Sequence, residues 1–120
     1  AGGEEVSYDL LIGIPPHRAP AAVAGGGVTG PSGFIPVDRH SLATQADGVY
    51  AIGDVTQIVL PDGKLMLPKA GVFAHAEARV VAGRIASELA GRDPREAFDG
   101  RGACFVELGE GSASYASGDF

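Results

Sequence analysis

Apolar positions along this chain fall into short runs broken by Gly, Pro and Asp, and only one stretch carries a long helical period. Tyr8 to Ile14 reads YDLLIGI and stops at Pro15-Pro16. That is the pattern of a buried strand halted by residues that cannot donate to a ladder. Residues 15–33 are rich in Pro, Ala and Gly and form a connector, within which Ala19 to Ala24 suits a short helix. Ile35 to Thr44 alternates in part and predicts a short strand or hairpin, followed by a turn at Asp47-Gly48. Val49-Tyr50-Ala51-Ile52 then reads as a central strand ending in Gly53-Asp54. From Ile58 to Leu67, two apolar arms flank Pro61-Asp62-Gly63-Lys64, which predicts a small hairpin or lid.

The long helix is predicted over residues 71–90. Val72, Ala76 and Val80 line one side with Val81, Ile85 and Leu89 beside them, and Glu77, Arg84 and Glu88 are expected to face away. Gly91 supplies a C-terminal cap and Pro94 prevents continuation. Ala103 to Leu108, the turn Gly109-Glu110-Gly111 and the return from Ser112 to Ser117 predict a C-terminal β-hairpin. The expected fold class is α/β or α+β, with short strands, one long helix and that hairpin.

Composition narrows the classes of function. At 120 residues the chain suits one domain or part of one, and 45% hydrophobic with 20% charged residues reads as globular. Nineteen glycines and eight prolines favour a loop-rich chain whose backbone can approach a large ligand. A net charge of −6 argues against a nucleic-acid surface, which needs clustered Lys and Arg. With Cys104 as its one cysteine the chain holds no internal disulfide, and His17, His40 and His75 have no metal-like spacing, so no metal site is expected. No apolar run approaches the roughly 20 residues of a membrane-spanning helix, and a signal peptide's pattern is missing from the start. The chain itself is expected to be soluble, its parent cytoplasmic or peripheral to a membrane. Because it opens on Ala1 and enters a strand-like run almost at once, a piece of a longer protein is expected.

Chemistry concentrates around Gly48-Val49-Tyr50-Ala51-Ile52-Gly53-Asp54-Val55. Taken alone, this is a core strand ending in a Gly-Asp turn. It also resembles the second FAD fingerprint of the two-dinucleotide-fold flavoprotein reductases, the pyridine nucleotide-disulfide oxidoreductase superfamily. The upstream GFIPVD of residues 33–38, with Leu42 and Thr44, resembles the segment that precedes the fingerprint there. In that resemblance Gly53 lets the backbone approach the cofactor and Asp54 accepts a hydrogen bond from a ribityl hydroxyl. Tyr8 to Ile12 resembles the strand that crosses back from the nucleotide domain. The continuation IPPHRAP departs from the Gly-Arg-x-Pro type of the NAD(P)H-using members and is similar to the sulfide:quinone oxidoreductase and flavocytochrome c sulfide dehydrogenase branch.

Pro68-Lys69-Ala70-Gly71-Val72 resembles the start of that branch's flavin-facing helix. The resemblance implies that the free N–H groups at Gly71 and Val72 stabilise negative charge on the reduced flavin and that Lys69 adds a positive charge beside them. An exposed lysine before an ordinary amphipathic helix is the plainer alternative. Cys104 holds roughly the place of the branch's C-terminal redox cysteine, which implies a catalytic thiolate whose partner cysteine lies outside this sequence. A small buried hydrophobe on a strand is the alternative there.

The resemblance divides the chain into residues 1–14, the end of a nucleotide-like domain, 15–100, the C-terminal part of an FAD-binding domain, and 101–120, the start of a hairpin region. It implies a parent that oxidises sulfide or a related sulfur species and passes electrons to quinone or a cytochrome, the isolated piece being inactive. An NAD(P)H-dependent flavoprotein reductase would share the same FAD residues. A non-enzymatic, domain-swapped module that dimerises through exposed sheet edges stands as a third reading.

Overall fold

The computed structural model describes residue 3 and residues 5–120. It is a mixed α/β arrangement of short strands, one long helix and a C-terminal antiparallel hairpin. The helix α1 (Ala21–Ala24) is a single turn in the Pro- and Gly-rich connector. β1 (Ile35–Pro36) pairs in parallel with β2 (Thr56–Gln57), Ile35 opposite Thr56. Between them the chain folds back on itself, with Ala43 bridged to Tyr50 across the Asp47-Gly48 turn, where Gly48 has φ 71°.

A second hairpin follows, as the turn residues predict. Val59 bridges Met66, the Leu67 N–H donates to the Ile58 carbonyl at 2.9 Å, and Gly63 takes φ 69°. Asp62 closes the tip by accepting from the Lys64 and Leu65 N–H groups, which holds its carboxyl below the usual aspartate range.

Helix α2 (Gly71–Leu89) ends in a Schellman motif. Gly91 has φ 66°, its N–H donates to Glu88 at 2.9 Å, and the Arg92 N–H reaches back to Ser87 at 2.9 Å. The helix lays Phe73 and Val81 into a core with Leu42, Ile58, Leu67 and Phe98. The linker beyond α2 is held against it by the Arg84 guanidinium, which donates to the Glu96 carbonyl at 2.8 Å. β3 (Arg101–Gly109) and β4 (Ser112–Asp119) form the expected hairpin, with Cys104 opposite Ala116 and Phe105 opposite Tyr115.

Three details differ from the sequence reading. Tyr8 to Ile14 forms no strand and Leu10, Ile12 and Ile14 are exposed, because no described segment lies alongside to complete a ladder. Val49 to Ile52 is extended but pairs only at Tyr50, and the chain then turns through one 3₁₀ turn, Gly53–Val55. Glu77 does not face away from the core: it is 1% exposed. Among the described residues no helix is long and apolar enough to cross a membrane.

Candidate functional site

The site is built where the 3₁₀ turn meets the segment entering α2. Gly53 opens the turn with φ 73°, a left-handed conformation that costs a residue with a side chain about 1–2 kcal/mol. A Cβ added there would sit 3.4 Å from the Ala74 methyl, so the turn lies against the first turn of α2. The Thr56 hydroxyl donates to the Gly53 carbonyl at 2.9 Å and closes the turn on itself. Asp54 is exposed, and among the described residues its carboxylate accepts no hydrogen bond.

Lys69 is tied to the same turn. Its ammonium donates to the Asp54 carbonyl at 2.5 Å and to the Thr56 carbonyl at 2.9 Å, and lies 4.1 Å from the centroid of the Phe34 ring. Two of its three N–H donors are thereby used, which leaves one N–H and the positive charge for a ligand. Burial lowers the Lys69 pKa, and the nearby carboxylates of Asp54 and Glu77 oppose that shift. Asp54, Val55, Lys69, Ile52, Phe34 and Arg18 line a groove of about 490 Å³.

Ala70 is extended, with φ −150° and ψ 146°, and neighbouring side chains there point to opposite sides. Lys69 therefore faces the groove just described, whereas Pro68 and Ala70 line another of about 230 Å³ with Val72, Phe73, Cys104 and Phe120. Of the residues singled out from sequence, Asp54 and Lys69 share the first groove, with Gly53 supporting it from the turn. Val72 and Cys104 share the second. Gly71 begins α2 between them, and the Gly71 and Val72 N–H groups have no partner among the described residues. Cys104 is exposed, at the edge of an apolar recess rather than beside Asp54.

Sequence reasoning missed Glu77. Its carboxylate accepts the Gly53 N–H at 2.5 Å from within the buried stripe of α2, and burial pushes its pKa up. The signal was its spacing: Glu77 lies four residues from both Phe73 and Val81, the two core residues of the helix.

With this geometry in place, comparison with known proteins gives a partial match. A trypanothione reductase from Leishmania donovani is 43% identical over 61 residues, covering 48% of this chain and 12% of that protein. The matched segment is a small part of that reductase and carries nothing specific to the sulfide-oxidising branch. No family model matches the chain.

Proposed function

We propose that this chain is the flavin-holding part of an FAD-dependent oxidoreductase. The observation that carries the reading is the convergence of Asp54 and Lys69 on one groove beside the start of α2. The donor set fits FAD: Asp54 offers an unused carboxylate to a ribityl hydroxyl, and Lys69 offers a cation and one N–H. Gly71 and Val72 add unpaired N–H groups at the positive end of a 19-residue helix. When bound, the flavin supplies two-electron redox chemistry. The chain's own part is to hold it, to exclude water with Phe34 and Ile52, and to place positive charge where reduction leaves negative charge.

For the substrate we propose sulfide or a related reduced sulfur species, with Cys104 as the sulfur-accepting thiolate and a quinone or cytochrome as electron acceptor. The support is its exposed thiol in a recess lined by Val72 and Ala70, at the entry of α2. The 43% identity to a protein named a reductase favours a second reading, an NAD(P)H-dependent flavoprotein reductase. Anaerobic reduction of the flavin in the full-length protein separates the two. Bleaching of the flavin absorbance by sulfide, lost in Cys104→Ser, supports the first, and bleaching by NAD(P)H alone supports the second. A purified full-length protein without flavin absorbance, and unable to take up added FAD, would remove both.

A further inference from the structure

Glu77 is a carboxylate at 1% exposure in the apolar stripe of α2, between Phe73 and Val81. Burying an ionised carboxylate costs several kcal/mol, and such a group persists where strong hydrogen bonds offset the loss of water. Here the partner is the Gly53 N–H at 2.5 Å, and Gly53 is the left-handed residue from which the Asp54 turn springs. One residue further on, the Asp54 carbonyl receives the Lys69 ammonium. A single side chain therefore bonds the origin of the turn that presents Asp54 and anchors Lys69. The charged groups that act on it are Lys69, from the segment leading into α2, and Asp54, from the turn itself.

We propose that Glu77 is the positioning residue of this site: its carboxylate, by gripping the Gly53 N–H, sets the orientation of the 53–55 turn and through it the places of Asp54 and Lys69. What the turn serves rests on the flavin reading; the grip itself does not. Substitutions divide hydrogen bonding from charge. Gln in place of Glu77 keeps an acceptor oxygen at the same reach and removes the charge, whereas Leu keeps volume and removes the acceptor.

The test uses the full-length protein, with hydrogen–deuterium exchange of the segment around Gly53 measured without flavin, and flavin release rate measured after loading. Glu77→Leu is expected to lose about tenfold or more of the Gly53 amide protection, the loss that follows from a charge-assisted bond worth about 1.5–3 kcal/mol. Flavin release should quicken by a similar factor. Glu77→Gln, which keeps a neutral acceptor, is expected to retain part of both, between wild type and the Leu variant. Unchanged protection in Glu77→Leu overturns the proposal. So does a Glu77→Gln protein, folded by circular dichroism, that loses protection as fully as the Leu variant, since charge alone would then be at work. Should Glu77→Leu fail to fold, the Gln variant against wild type still decides. If the protein takes up no flavin, the exchange result still judges Glu77, and only the flavin reading falls.

Discussion

Replacing Gly102 with alanine tests how the C-terminal hairpin is seated on the body of the protein. An added Cβ would lie 2.3 Å from Cε1 and 2.5 Å from Cζ of Phe73, deep inside the roughly 3.5–4.0 Å at which carbon atoms pack. Phe73 cannot swing clear. It is 5% exposed and set edge-on between Phe98, with ring centroids 6.4 Å apart, and Phe120, at 5.2 Å. The ring must leave its rotamer or β3 must lift from α2. Overpacking of this kind costs about 1–3 kcal/mol, offset in part by the smaller unfolded-state entropy of alanine, about 0.4–1 kcal/mol.

Urea denaturation of Gly102→Ala, Phe73→Ala and the double variant reads this as a coupling energy. Phe73→Ala alone should cost about 3–5 kcal/mol through the cavity it leaves. In the double variant the new methyl enters that cavity, so the pair should be less destabilised than the sum of the singles by more than about 0.5 kcal/mol. Additive singles would refute the reasoning. The same contact sets where Cys104, two residues along β3, stands relative to the start of α2.

Gly91→Ala should destabilise α2 by about 1–2 kcal/mol, because the Schellman cap needs φ 66°, and Gly91→Asn by less; thermal unfolding monitored by helix signal checks both. In the full-length protein Asp54→Ala should weaken flavin retention, seen as cofactor lost on gel filtration, by the about 1.5–3 kcal/mol of a charged hydrogen bond. Lys69→Met should make the flavin harder to reduce, lowering its potential in a dye-equilibration titration. Glu77 carries a pH signature. Its folded pKa is raised, chiefly by burial, so its contribution favours the folded state fully below the ordinary glutamate pKa and is lost as pH rises through the raised value. The stability of wild type minus that of Glu77→Gln should therefore fall with rising pH across that window, and a flat difference would contradict it.

Features decided within a few residues were legible in the sequence by itself. The Pro61-Asp62-Gly63-Lys64 and Gly109-Glu110-Gly111 turns, the span of α2 and its Gly91 cap depend on backbone conformations and hydrogen bonds that close locally, so residue type determines them. The nearness of Asp54 and Lys69 to the start of α2 was also readable, since a recognisable order of motifs carried it. The tertiary structure alone decided what depends on distant partners. Tyr8 to Ile14 has the composition of a strand, but a ladder needs a neighbour, and none of the described segments supplies one. The helical period marked the apolar stripe, yet Glu77 is drawn into it because an N–H 24 positions earlier in the chain is aimed at its carboxylate. Cys104 likewise faces a different groove from Asp54, since the chain entering α2 through the extended Ala70 puts Lys69 on one side and Ala70 on the other. Local chemistry chose the elements; burial and alternation across contacts remote in sequence chose which side chains meet.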